Sequence, residues 1–180
     1  MLIKLDAIEV DVIAERPSAE DVVLTKPTEA DLDSLVTLIN AYAKRGDLLP
    51  RTADSVKESL PDWVIAKVGD TVIACGSLLR YSPVLAEVRS LAVADTAQGL
   101  GLGRQIVAQL EIDAQKQKIP TLFALTRVVQ FFEKMGFTIT EKEYFPQKVW
   151  NDCNHCPIQD NCDETAVVKK FSYQEENKEK

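Results

Sequence analysis

Residues 91–103 read LAVADTAQGLGLG, an apolar, β-prone run that passes into a glycine-rich turn. Glycines at positions 99, 101 and 103 permit positive φ and let the backbone approach a ligand closely. The next residues carry apolar side chains at helical spacing, so the turn leads into a helix. Exposed N–H groups in such a turn, together with the helix dipole, favour a pyrophosphate. A tight loop that binds nothing is the alternative interpretation.

Hydrophobic periodicity on both sides of the turn predicts a mixed α/β arrangement. The expected helices cover residues 28–45, 53–60, 104–117 and 128–135. The expected strands cover residues 22–25, 63–68, 71–79, 84–93, 121–125, 137–143 and 167–173. Gly69-Asp70 indicates a hairpin between two of these strands, and Thr28 with Asp31 resembles a capping box. Neither a repeat nor an interdomain linker is visible, so we expect one domain.

The composition limits the classes of function. With 46% hydrophobic and 27% charged residues, the 180-residue chain has the composition of a globular protein. No apolar run reaches the roughly 18 residues of a membrane span, and the acidic residues near the start are unlike a secretory signal. We therefore expect a cytoplasmic protein without a membrane partner. A net charge of -7 argues against nucleic acid as a partner.

Two motifs resemble those of the GNAT acetyltransferases. The run QGLGLG at residues 98–103 resembles the family's Q/R-x-x-G-x-G/A motif, and FFEKMGF at residues 131–137 resembles its helix-to-strand corner. The resemblance covers residues 22–173. It implies an α/β (α+β) GNAT fold, with a mixed, mostly antiparallel central sheet, splayed middle strands and helices on both faces. Residues 1–21 would then form an N-terminal arm and residues 174–180 a flexible tail.

The same resemblance implies an acetyl-CoA site. The amides of residues 98–103 would hold the pyrophosphate, and the pantetheine would lie between residues 88–93 and 121–126. The amide of Leu91 or Ala92 would polarise the thioester oxygen. The expected cofactor-binding residues are Leu91, Ala92, Val93, Gln98, Gly99, Leu100, Gly101, Leu102, Gly103 and Arg104.

Four further segments resemble N-acetylglutamate synthases, in particular short forms that consist of the acetyltransferase domain alone. The segments are residues 48–51, 86–93, 122–126 and 149–164. This resemblance implies acetyl transfer to the α-amine of L-glutamate, the first step of arginine biosynthesis. Glutamine, another small amine or a protein N-terminus is an alternative acceptor. A non-catalytic acyl-CoA sensor is an alternative of a different class. The sequence is also compatible with a homodimer.

A glutamate pocket needs cations that match two carboxylates. Arg51 stands at the family's substrate-carboxylate position, whereas Arg89 matches no arginine of the longer members, and Arg127 is a third candidate. Leu49 and Ser90 complete the expected substrate contacts. Each arginine has the alternative of being a surface residue paired with a carboxylate.

Glu87 matches the family's proposed general base, which takes a proton from the substrate amine. Its alternative role is an ion pair with Arg89, two residues along the same strand face. Thr126 matches a hydroxyl position that contacts substrate or assists the departing thiolate, and its alternative is a strand residue without chemistry. Phe132 stands where many members carry the tyrosine that protonates CoA. Solvent, Thr126 or no acid at all would serve instead.

Cys153, Cys156 and Cys162 form a cluster flanked by His155. Such a cluster in a cytosolic chain suggests zinc or reduced thiols before disulfides. Because only one Cys-x-x-Cys pair exists and His155 lies inside it, we assign no metal. Reduced thiols that shape the acceptor end of the pocket are the simpler interpretation.

Overall fold

The computed structural model describes residues 15–156 and 159–173. Its strands are β1 Val23–Thr25, β2 Trp63–Val68, β3 Thr71–Ser82, β4 Leu85–Val93, β5 Thr121–Thr126, β6 Thr138–Thr140 and β7 Thr165–Lys170. Its helices are α1 Leu32–Lys44, α2 Ala53–Lys57, α3 Leu102–Lys116, α4 Val129–Glu133 and α5 Pro146–Asn151. Most of the expected arm (residues 1–14) and the expected tail (residues 174–180) lie outside the described residues.

The described strands form one sheet in the order β1-β2-β3-β4-β5-β7-β6. Neighbours are antiparallel except for β4 and β5, which are parallel. The β4–β5 ladder begins at Leu85 opposite Thr121 and ends at Glu87 opposite Phe123, although both strands continue. The middle strands therefore separate after Glu87. This confirms the expected mixed sheet with splayed central strands.

A β-bulge interrupts β4 where the two strands separate. Cys75 of β3 pairs with Ala92, but Ser77 pairs with Arg89, so β4 carries one extra residue around Ser90. Ser90 has φ of 54°, a left-handed conformation that is uncommon for a residue other than glycine. Bulges bend a strand and are frequent beside active sites. Here the bulge lies at the opening between β4 and β5.

The core lies on both sides of the sheet. β2 begins with four consecutive buried residues and β3 contains seven, the pattern of strands whose two faces are both covered. Helices α1 and α3 supply the covering side chains, including Leu35, Ile39, Ile106 and Leu110. Gly76 allows α3 to pack closely, because a Cβ there would lie 2.7 Å from Cγ2 of Ile106. The expected packing of helices against the sheet is confirmed.

Several predicted element bounds are wrong. The strand expected over residues 137–143 is only Thr138–Thr140, and the chain turns into a short 3-10 helix at Lys142–Tyr144 instead of continuing along β7. The final strand, expected over residues 167–173, spans Thr165–Lys170, so it begins two residues earlier and ends three residues earlier. Helix α3 begins at Leu102 rather than at 104. Helix α5 was not predicted at all.

Candidate active site

The glycine turn has the backbone that the sequence predicts. Gly99 and Gly101 have φ of 81° and 75°, and Gly101 is the N-cap of α3. The first N–H groups of a helix have no intrahelical acceptor, so those that follow Gly101 can bind a ligand. Arg104 is exposed in this first helical turn. The side chain of Gln98 donates to Asp95 at 3.1 Å. The turn therefore offers main-chain donors to a diphosphate.

Sequence analysis missed a further cation at this turn. Nη2 of Arg16 lies 3.3 Å from the position that a Cβ on Gly99 would occupy. Arg16 belongs to the segment that we expected to form an arm outside the main domain, and no periodicity marks it. Its guanidinium lies beside the backbone of the glycine turn.

The part of β4 that borders the opening between β4 and β5 immediately precedes this turn in the sequence. Leu91, Ala92 and Val93 belong to the part of β4 that pairs with β3 but no longer with β5. Tyr42 donates its hydroxyl hydrogen to the carbonyl oxygen of Val93 and fixes the end of the strand. The β4 edge that faces the opening retains main-chain groups without a strand partner. These groups suit the amides of a pantetheine chain.

A cavity of about 530 Å³ lies where the sheet opens. The loop after α1, strand β4, the end of β5 and the segment 142–164 surround it. The cavity brings together six of the residues predicted from the sequence, namely Leu49, Arg51, Glu87, Arg89, Ser90 and Arg127. Thr126 is not among its lining residues, and the hydroxyl of Thr126 accepts a hydrogen bond from the N–H of Val128 at 2.9 Å.

Two arginines enter the cavity without full neutralisation. The Nε atoms of Arg51 and Arg89 are buried and have no acceptor among the described residues. Burial, and then the charge of Arg89, lower the pKa of Arg51. Nη1 of Arg89 lies 3.6 Å from a carboxylate oxygen of Asp152. Buried donors without acceptors are costly, so the pair suits an anionic ligand. Asn40 holds the Arg51 backbone through bonds of 2.9 and 3.0 Å.

Glu87 is buried, with 2% of its surface exposed, and both of its oxygens have donors. Nζ of Lys148 lies 2.8 Å from Oε1, and the hydroxyl of Tyr81 donates to Oε2 at 2.8 Å. Burial, and then the charge of Glu87, raise the pKa of Tyr81, so its phenol remains a donor. The alternative ion pair between Glu87 and Arg89 does not form. Lys148 takes that place.

Lys148 and Asp152 are functional candidates that the sequence analysis missed. They lie four residues apart, and Nζ of Lys148 is 2.7 Å from the Asp152 carboxylate. Burial alone would lower the pKa of Lys148, but the charges of Glu87 and Asp152 raise it overall. Burial alone would raise the pKa of Asp152, but the hydrogen bond from Lys148 lowers this pKa overall. Pro146 at the start of α5 was the available signal, since proline favours the first helical turn.

Arg127 lines the cavity but already has partners. Its Nε lies 2.7 Å from Asp163, and its Nη1 donates to the carbonyl oxygen of Gly46 at 3.0 Å. Arg127 thereby connects the loop after α1 to the segment before β7. Its role in substrate binding stays a prediction. Phe132 is buried against Phe131 and Phe137 and provides no acid.

Three cysteines line the cavity as free thiols. Cys153, Cys156 and Cys162 all contribute to its wall, and Nζ of Lys142 lies 3.2 Å from Sγ of Cys162. In the part of the chain that the structure describes, no group of three or more His, Cys, Asp or Glu side chains is arranged to hold a metal. The side chain of His155 lies outside that part. None of the described helices is both long and apolar enough to cross a bilayer.

Comparison with known proteins now identifies the family. Residues 61–139 match the acetyltransferase (GNAT) domain. An uncharacterized N-acetyltransferase of Chlorobaculum tepidum is 36% identical over 151 residues, which are 84% of this chain and 97% of that relative. The chain belongs to the GNAT acetyltransferases. It is an N-acetyltransferase that uses acetyl-CoA as the acyl donor.

Two further comparisons are with proteins whose names concern amino acids. An amino-acid acetyltransferase of Mycobacterium tuberculosis is 29% identical over 132 residues, which are 72% of this chain and 75% of the relative. The structure of N-acetylglutamate synthase from Neisseria gonorrhoeae, complexed with coenzyme A and N-acetyl-glutamate, has a TM-score of 0.74 and 21% identity. That match covers 84% of this chain and 35% of the Neisseria chain. The structural likeness shows the shared fold.

Proposed function

We propose that this GNAT enzyme transfers an acetyl group from acetyl-CoA to the α-amine of L-glutamate. The observation that carries the proposal is the pair of partly buried arginines, Arg51 and Arg89, each with a buried Nε that lacks an acceptor among the described residues. Both line the cavity that opens beside β4. The product, N-acetyl-L-glutamate, would supply arginine biosynthesis.

The two arginines with unpaired Nε atoms favour an acidic acceptor. Guanidinium groups bind carboxylates through paired hydrogen bonds, and a glutamate molecule brings two carboxylates. Glutamine would bring one and would leave part of the cationic pair without an anion. Unpaired buried polar groups penalise the wrong substrate strongly. The relatives named as amino-acid acetyltransferases support an amino-acid acceptor as well.

In this proposal Glu87 accepts the proton that the substrate ammonium must lose, directly or through one water. The freed nitrogen then forms a bond to the thioester carbonyl carbon, and the bond from that carbon to sulfur breaks. The nitrogen loses its second proton as this bond breaks, and the departing thiolate takes up that proton through solvent. The electron pair leaves with the CoA thiolate, which is stable enough near neutral pH to depart without a strong acid. Amides near the bulge at Ser90 would stabilise the oxyanion, and Thr126 would assist the thiolate only by donating its hydroxyl hydrogen.

A thiol-release assay tests the acceptor. L-glutamate, L-glutamine, other small amines, an N-terminal peptide and a reaction without acceptor are compared at equal concentration. We expect CoA release with glutamate at least about tenfold above that with glutamine. Equal rates with the two amino acids, or faster turnover of a neutral amine, would contradict the proposal. Release from no amine despite binding of acetyl-CoA would favour the sensor alternative.

A further inference from the structure

We infer that Lys148 is a positioning residue that holds the carboxylate of Glu87 and links it to the arginines that bind the substrate. The inference depends on the proposed role of Glu87 as general base. This inference adds a residue of α5, which is far from β4 in sequence, to the residues that position the catalytic groups.

The contacts of Lys148 form a sequence of alternating charges. Its Nζ lies 2.8 Å from Glu87 and 2.7 Å from Asp152, and Asp152 lies 3.6 Å from Nη1 of Arg89. Lys148 is only 8% exposed, so its ammonium is neutralised mainly by these two carboxylates. Among the described residues, it is the cation that joins the base candidate to the arginine pair.

The ammonium of Lys148 fixes where the Glu87 carboxylate can lie. Tyr81 holds one oxygen and Lys148 holds the other, so the side chain has one stable orientation. Each carboxylate oxygen has a second lone pair that remains available for the substrate proton. Removal of Lys148 would free Glu87 to rotate and would leave Asp152 to compete with the substrate for Arg89. A misplacement of about 1 Å can cost about 100-fold in rate.

Two other roles for Lys148 lead to different results. If Lys148 merely competed with the substrate amine for the Glu87 carboxylate, its removal would raise kcat. If Lys148 only stabilises the fold, its removal would lower the free energy of unfolding, and its effect on kcat would be the same whether or not Glu87 is present. A double-mutant cycle separates these roles, because coupling appears only between residues that act together.

The cycle compares the wild-type enzyme with Lys148→Met, Glu87→Gln and the double variant. Each is assayed by CoA release with whichever amine of the acceptor panel turns over fastest. We expect Lys148→Met to lower kcat at least about tenfold in the wild-type background and less than about threefold beside Glu87→Gln. Lys148→Arg should recover part of kcat, because it keeps a cation near both carboxylates. Equal losses in both backgrounds, or a rise in kcat, would overturn the inference.

Folding is controlled in two ways. Lys148→Met leaves two buried carboxylates without their cation, whereas Lys148→Gln keeps a donor and serves if the methionine variant unfolds. Lys169→Met is the matched control, because Lys169 also binds a carboxylate, Glu111 at 2.7 Å, but lies away from the cavity. It should lose stability without loss of kcat. If wild-type enzyme acetylates another amine but not glutamate, the acceptor proposal fails while the cycle still tests Lys148.

Discussion

At the scale of single residues, the candidate acceptor site contains charges that are only partly paired within the protein. Arg51 and Glu87 illustrate the two cases. The Nε of Arg51 has no acceptor among the described residues, whereas both oxygens of Glu87 have donors. The unpaired Nε of Arg51 suits binding of an anionic ligand. The two donors to Glu87 suit a carboxylate that must be held in one orientation for catalysis.

Arg51→Ala should raise the glutamate KM about 10- to 100-fold, because it removes charge-assisted hydrogen bonds worth about 1.5–3 kcal/mol. Arg51→Lys should recover little, since an ammonium cannot form the paired bonds of a guanidinium. Steady-state kinetics measure both. The KM for acetyl-CoA should stay within about twofold in each variant, and an equal rise in both KM values would refute a specific role in acceptor binding.

Glu87→Gln should act on kcat instead. Loss of a general base typically costs about 100- to 10,000-fold in rate, while the amide keeps the size of the side chain. Acetyl-CoA affinity, measured by calorimetry, should not change. A variant with kcat near that of the wild-type enzyme would show that another group or solvent accepts the proton.

At the scale of elements, local sequence patterns predict the scaffold better than the site. The turn at residues 98–103 and the β2–β3 hairpin depend on neighbouring residues, and both form as expected. Arg51 and Glu87 were predicted through family motifs and Arg89 from the cations that two carboxylates need, and the cavity does gather all three. Lys148 was not predicted, since its partner Glu87 lies on a distant strand and no local pattern records that contact.

Helix α3 depends on the left-handed backbone of Gly101. A Cβ at Gly101 would meet nothing within 4 Å, so Gly101→Ala should cost about 1–2 kcal/mol through φ alone and should weaken acetyl-CoA binding. Gly69→Ala is the matched control in the β2–β3 hairpin, with positive φ and equally open space. Urea unfolding and calorimetry should show a loss of stability in both variants but weaker binding only in Gly101→Ala. Weaker binding in both would contradict a local role for the turn.

Asp31, at the start of α1, makes the stability of the protein depend on pH. Burial would raise the pKa of Asp31, but its bonds to Lys67 and Thr28 outweigh burial and lower it. A lowered folded-state pKa stabilises the protein above the unfolded value of about 3.9, and this stabilisation is lost as the pH falls further. Asp31→Asn should therefore cost about 1 kcal/mol at pH 7 and less below about pH 4. Urea unfolding at pH 7 and below about pH 4 measures both costs. Asp33 is exposed, so Asp33→Asn should leave the urea curve unchanged at either pH.

At the scale of the whole molecule, the sheet has two parts with a narrow connection. Only three residue pairs join β4 to β5, whereas β5 pairs with β7 over six. Lys169 of β7 strengthens the connection, because its Nζ binds Glu111 of α3 at 2.7 Å and the carbonyl oxygen of Met135 at 2.7 Å. Helix α3 in turn packs on β2, β3 and β4.

Lys169→Met should lower the free energy of unfolding by about 2 kcal/mol, since it removes a charged donor from several partly buried acceptors. Equilibrium unfolding in urea, followed by circular dichroism, measures the loss. A broader or two-step transition would show that the two parts of the sheet then unfold separately. Unchanged unfolding would mean that the connection does not depend on this side chain.

The short β4–β5 ladder has a consequence for the behaviour of the enzyme in the cell. A molecule that occupies the gap and touches both edges cross-links the two parts of the sheet, which the protein itself joins weakly. A ligand that binds only the folded state stabilises it by about 2.7 kcal/mol at a concentration 100 times its Kd. The supply of acyl donor would then govern how long each copy resists unfolding and proteolysis, in addition to how fast it works. Copies of the enzyme without bound acyl donor would unfold and be degraded sooner than copies that hold it.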